Sequence, residues 1–129
     1  VGPDLTLAAV ERYIAALNAG DADGIAACVS PDFHNEHTSA AGRSLRGREA
    51  YRTALRGFLG EFEELHYEIE DLIVEGDRAA MAYRMTFRLR GAPVEIRGMF
   101  RFRTVAGLIS HRVDYWDGAE FARQTAPPT

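Results

Sequence analysis

Cysteine occurs once in this 129-residue chain, at Cys28. A lone thiol excludes an internal disulfide. Set in an apolar helical run, it reads as a buried, inert side chain. Long hydrophobic runs are missing as well. No stretch approaches the ~20 apolar residues that a membrane span needs, so no membrane partner is expected. The first residues have neither a basic nor an apolar signal segment, and a cytoplasmic protein is expected. Excess positive charge is also lacking. Fifteen basic residues face 19 acidic ones, for a net charge of −4. The arginines are scattered among the acids, so nucleic acid is not an expected partner. There is no Gly-x-Gly-x-x-Gly, P-loop, nucleophile elbow or Cys–His pairing, and no cofactor is expected. The run His34-Asn35-Glu36-His37 lacks the helical i, i+4 histidine pair of zinc motifs, and no metal is expected.

What is present reads as one domain over residues 1–129, long enough to bury a real core. Asp4 or Thr6 is placed to cap a first helix carrying Leu7, Val10, Tyr13, Ile14 and Leu17 at helical spacing, closed by Asn18-Ala19-Gly20. Asp21 caps a short second helix through Cys28, and Pro31 stops it. "DFHNEHT" reads as a brief strand and "SAAGRSLRG" as a loop. "REAYRTALRGFLGEF" returns to helical spacing through Tyr51, Leu55, Phe58 and Leu59. The remainder alternates with a period of two. Met81, Tyr83, Met85, Phe87 and Leu89 share one face, with Arg84, Thr86, Arg88 and Arg90 on the other. Val94, Ile96, Phe100 and Phe102 repeat the pattern. "LISHRVDYWD" is a last strand, followed by a short tail element. Helices first and strands second make an α+β protein: an antiparallel sheet whose apolar face three helices cover, leaving a cavity at the open end. The arginine-rich outer face, with Glu68, Glu70 and Glu95 nearby, is either solvated or a polar dimer interface.

Three groups carry candidate chemistry. His37 is in phase with Phe33 and Asn35 on one face of its strand, and is either a pocket base near neutrality or a hydrogen-bonded structural histidine. His34 and Glu36 point the other way. Tyr13 lies in the apolar stripe of the first helix, as packing or as a phenol donating to a ligand oxygen. Tyr83 has the same two readings. Near the end of the last strand Arg112, Asp114 and Trp116 share a face, opposite His111, Val113 and Tyr115. Alternation does not say which face is inside. A carboxylate beside tryptophan gains a raised pKa and acid–base capacity if buried; on the surface it pairs with Arg112. Asp117 precedes Gly118 and is placed to cap the tail element.

"VERYIAALNAGDADGI" resembles the first helices of bacterial ketosteroid isomerases, and "MFRF" at Met99–Phe102 continues the likeness. The ending "RVDYWD" is similar to SnoaL-like polyketide cyclases and limonene epoxide hydrolases, all within the nuclear-transport-factor-2-like superfamily. The resemblance implies a curved sheet and helices forming a cone. It places the isomerases' oxyanion-donor tyrosine at Tyr13 and their base at His37. Their second donor, a protonated aspartate, falls on Gly98. The epoxide hydrolases' last-strand aspartate matches Asp114, and their arginine and other aspartate fall near Arg84 and Thr86, so one carboxylate is missing. In the cyclase frame Asp114 and Trp116 point inward. The implied function is a cofactor-independent cyclase, isomerase or dehydratase. It would act by acid–base chemistry on a hydrophobic, carbonyl-bearing, polyketide-like molecule, as a homodimer. His37, Asp114 and Tyr13 would be catalytic, with Trp116, Tyr83, Met85, Phe100, Phe33 and Asn35 shaping the pocket. A non-catalytic ligand-binding domain and an epoxide hydrolase-like enzyme are the alternatives.

Overall fold

A computed structural model describes residues 3–127. The first helix, α1 (Pro3–Ala19), buries Val10, Tyr13, Ile14 and Leu17 on the expected stripe. Neither Asp4 nor Thr6 caps it, because both lie within the first turns. Thr6 instead donates to the Gly76 carbonyl at 2.7 Å and meets Thr104 Oγ1 at 3.0 Å. Gly20, at φ 69, closes the helix in the left-handed region that glycine enters at no steric cost. Asp21 caps α2 (Ala22–Ala26) through the Asp23 amide. This helix stops short of Cys28, which is buried and donates its thiol to Gly24 O.

The strands are β1 (Val29–His37), β2 (Leu45–Arg46), β3 (Phe62–Glu75), β4 (Arg78–Leu89), β5 (Ala92–Val105) and β6 (Leu108–Tyr115). Between β2 and β3 runs α3 (Arg48–Glu61), and α4 (Gly118–Thr125) is the tail element. Asp117 caps α4 by accepting from the Ala119 and Glu120 amides. Two residues of the expected loop, Leu45 and Arg46, pair with β1 instead.

The six strands form one open sheet in the order β2-β1-β6-β5-β4-β3. The α+β class is as expected, with one difference. β1 lies parallel to β6, so the sheet is mixed rather than wholly antiparallel. The cause is connectivity: β1 enters the sheet from the helices, not from a hairpin, and is free to take either direction. Alternation is faithful in β4, where Ala79, Met81, Tyr83, Met85, Phe87 and Leu89 are buried. The helices cover this face. Bulges interrupt β3 between Glu63 and His66 and between Ile69 and Asp71, and bulges bend strands. On the opposite face Arg84 bonds Glu68 at 2.9 Å and also Glu95, and Arg97 bonds Glu70 at 3.1 Å. Among the described residues no helix is long and apolar enough to cross a membrane.

Candidate active site

The covered face does not close completely. Between α3, α4 and the sheet lies a cavity of about 800 Å³. Its apolar wall includes Leu55 and Phe58 from α3, Met85, Phe87 and Ile96 from the sheet, and Phe121 from α4. Its polar corner is built by the parallel join. That register sets Asn35 beside Arg112 and His37 beside Asp114, and all four line the cavity. Two strands thus bring an amide, a guanidinium, an imidazole and a carboxylate together against hydrocarbon.

Asp114 is 6% exposed. Its Oδ1 accepts from the Tyr83 hydroxyl at 2.6 Å, and Oδ2 has no donor among the described residues. Burial raises its pKa above the ordinary aspartate value, against the opposing pull of Arg112 and the Tyr83 hydrogen bond. Tyr83 can reach it because position 98 is glycine. A Cβ there would sit 2.5 Å from the Tyr83 hydroxyl and 2.7 Å from the Tyr115 carbonyl. The hydroxyl therefore occupies space that a side chain at 98 would need, on the position where the resemblance sets a second acid.

His37 is held by the next residue on the Asp114 face. Trp116 Nε1 donates to His37 Nδ1 at 2.9 Å, which makes Nδ1 an acceptor and leaves the ring proton on Nε2. Burial, aided by the Arg112 charge, lowers the His37 pKa to about 4, so the ring is neutral at pH 7. The 3.6 Å approach of Nδ1 to Asp114 Oδ2 is accordingly not an ion pair at that pH. Gly42 packs directly on this ring: a Cβ there would fall 2.5 Å from His37 Cβ.

Arg112 lies deeper, 5% exposed. Its Nε donates to Asn35 Oδ1 at 3.0 Å and its Nη1 to the Tyr13 hydroxyl at 2.8 Å. The guanidinium carbon stands 4.7 Å over the Phe100 ring, a cation–π arrangement. Burial works against its charge, and the oxygens of Tyr13, Tyr51 and Asp114 outweigh burial, so it stays protonated.

The structure brings His37, Asp114, Asn35, Trp116, Tyr83 and Met85 to the cavity wall. Tyr13, Phe33 and Phe100 lie behind it. Tyr13 is fully buried because its stripe faces the core, and Tyr51 from α3 stands between it and the cavity, the two hydroxyls 2.5 Å apart. Phe33 packs on Tyr51 at 4.8 Å, and Phe100 lies under Arg112. Sequence reasoning missed Tyr51, although it is the first apolar residue of the α3 spacing. It also missed Arg112 as a site residue, although alternation had put it on the Asp114 face. Arg84 belongs to the outer network, as alternation required.

On that outer side the same parallel register stacks the His34 and His111 rings at 4.6 Å, with Glu36 Oε1 3.1 Å from His111 Nε2. These three have the spacing of a metal-ligand group. They face away from the cavity, and nearly parallel rings do not point their nitrogens at one ion. They take no part in the cavity's chemistry.

The comparisons with known proteins agree with this fold. TsrD from Streptomyces laurentii is 25% identical over 98% of each chain, with a TM-score of 0.79. An M. tuberculosis epoxide hydrolase resembling limonene epoxide hydrolase is 20% identical, with a TM-score of 0.83 over 95% of this chain and 90% of that one. A suggested SnoaL-like polyketide cyclase of Shewanella denitrificans OS-217 is 17% identical, with a TM-score of 0.83 over 92% and 95%. These likenesses are to the nuclear-transport-factor-2-like fold. The family model described as a SnoaL-like domain matches residues 10–112, most of the chain and nearly all of the cavity wall, so this protein belongs to the SnoaL-like domain family.

Proposed function

We propose that this protein is a cofactor-independent acid–base enzyme acting on a hydrophobic, carbonyl-bearing, polyketide-like small molecule, as a cytoplasmic homodimer. One observation carries the reading: a buried carboxylate, Asp114, lines a largely apolar cavity with one oxygen held by Tyr83 and the other unengaged. Such a carboxylate binds a proton more readily than one in water, as a base for carbon acids requires.

In the proposed step Asp114 Oδ2 removes a proton from carbon beside a carbonyl. The C–H bond breaks, its electron pair moves to the carbonyl oxygen, and an enolate forms. Return of the proton to a different carbon isomerises the substrate. Alternatively, the enolate carbon attacks a second carbonyl of the same molecule and closes a ring, and the new alkoxide takes the proton back. His37 is less suited to be the base, because its Nδ1 is engaged by Trp116 and its acidity is already shifted. Its Nε2–H is a donor for a ligand oxygen instead. Tyr13 acts through Tyr51: its oxygen accepts from Arg112, and if its own proton goes to Tyr51, the hydroxyl of Tyr51, which lines the cavity, is left to donate to a ligand. Asp114 is the one carboxylate among the described lining residues. That favours single-base proton transfer over hydration by a carboxylate pair.

The test is deuterium uptake at the α-carbon of 2-tetralone in D₂O, followed by NMR. Wild-type protein should accelerate it. Asp114→Asn should lower the protein-dependent rate by about two to four orders of magnitude. Loss of the Tyr51 donor in Tyr51→Phe should cost about two orders. Exchange by Asp114→Asn at the wild-type rate, or none by the wild type, overturns the reading.

A further inference from the structure

Arg112 has a property that proton transfer by Asp114 does not call upon. It is a buried cation on the cavity wall that forms no salt bridge among the described residues. Its two engaged nitrogens donate to neutral oxygens, an amide and a phenol. Nη2 has no hydrogen-bond partner among the described residues. A guanidinium taken out of water is costly unless a counter-charge or strong acceptors replace the lost hydration. Here neutral acceptors and the Phe100 face replace part of it, and the Asp114 carboxylate, which makes no direct salt bridge to the guanidinium, offsets the charge only from a distance. Asn35, Tyr13 and Phe100 grip three sides of the group, so its open edge is fixed in direction. That leaves Nη2, with its two N–H groups, as a fixed, charged donor for an oxyanion.

We infer that Arg112 is the anion-recognising residue of the cavity, and that its ligand is a hydrophobic molecule bearing an anionic oxygen, a carboxylate or an acidic enol. The inference rests on the reading of the cavity as the ligand site, and it adds the ligand's charge. The ligand's apolar body lies against Leu55, Phe58 and Ile96, and its anionic oxygen takes the Nη2 donor. Asn35 and Tyr13 are positioning residues that hold the guanidinium. Arg43 also lines the cavity. It is exposed and makes no hydrogen bond among the described residues, so it supplies diffuse charge rather than an aimed donor.

Two matched probe pairs test this by titration calorimetry: 2-naphthoate against 2-naphthamide, and the acidic enol 2-hydroxy-1,4-naphthoquinone against its methyl ether. Wild-type protein should bind the anion of at least one pair tenfold or more tighter than its neutral partner. Arg112→Met should erase that preference. Asn35→Asp, which keeps the arginine and sets a carboxylate against it, should erase it too and covers the case in which Arg112→Met does not fold. Arg43→Gln should retain it. Equal affinity within both pairs overturns the inference, as does a preference that survives Asn35→Asp or disappears in Arg43→Gln. Exchange of neutral 2-tetralone is read separately. Exchange without anion preference sinks this inference alone, and anion preference without exchange sinks proton transfer alone.

Discussion

His37 donates nothing to Asp114 at neutral pH, and its stability signature follows from that. A base whose folded-state pKa lies near 4 and whose unfolded value is about 6.5 is protonated first in the unfolded chain. Its contribution is intact above pH 6.5 and is lost as pH falls toward 4, by about 3 kcal/mol for a shift of this size. In His37→Gln that loss is absent. The stability gap between wild type and variant, measured by urea unfolding at pH 7, 6, 5 and 4, should narrow by about this amount; a gap independent of pH contradicts the neutral, Trp116-bonded ring. Gly98 makes a second prediction at this scale. In Gly98→Ala the new methyl meets both the Tyr83 hydroxyl and the Tyr115 carbonyl, and backbone does not yield as a side-chain tip does. The variant should lose about 1–3 kcal/mol to overpacking. Because Tyr83 is pushed off Asp114, it should also exchange 2-tetralone more slowly than wild type. Wild-type exchange in a stable Gly98→Ala protein would show that the Tyr83 hydrogen bond is dispensable.

Elements position these residues, and two joints matter most. The first ties α1 to the edge of the sheet. Asn18 Nδ2 donates to the Tyr67 carbonyl at 3.0 Å, and the Tyr67 amide donates to Asn18 Oδ1 at 2.7 Å. β3 is an edge strand, and Asn18 stands in for a neighbouring strand there. Asn18→Ala leaves two backbone groups without partners and should cost about 1–3 kcal/mol in urea unfolding; a change below measurement error would mean water replaces the clamp freely. The second joint is the parallel pairing of β1 with β6. The helices, the strands and the apolar face of β4 were legible in the sequence because each is a local period, 3.6 or two. The inward face of β6 was legible only through family likeness. Arg112 and Asp114 are both polar, and polarity alone marks the wrong side of a strand. Tyr51 and Tyr13 were not separable by spacing, since both are apolar-stripe residues of helices. Which one reaches the cavity depends on how α1 and α3 are each set against the sheet, a long-range property. The juxtaposition of Asn35 with Arg112 required a register between strands 77 residues apart.

For the whole molecule, the uncovered face of the sheet carries ion pairs around an apolar strip. Ile73, Met99 and Tyr115 are exposed there, and Arg101 bonds the Tyr115 hydroxyl. An apolar strip rimmed by charge is the composition of an interface, and a homodimer through this face is expected. Sedimentation at micromolar concentration should give a dimer, and Met99→Glu should give a monomer with an unchanged cavity. A wild-type monomer across that range rules out the dimer and leaves the reading of the site untouched, since the lining residues on which it rests belong to one chain. The chemistry of the cavity depends on Asp114 being a buried proton acceptor in contact with whatever fills it. The most direct test of this is the pH titration of the Asp114 carboxyl carbon by ¹³C NMR, without and with 2-tetralone. The expected midpoint lies above the ordinary aspartate value of about 3.9 and is displaced when the ketone binds. A midpoint at or below that value, unmoved by the ketone, would contradict it.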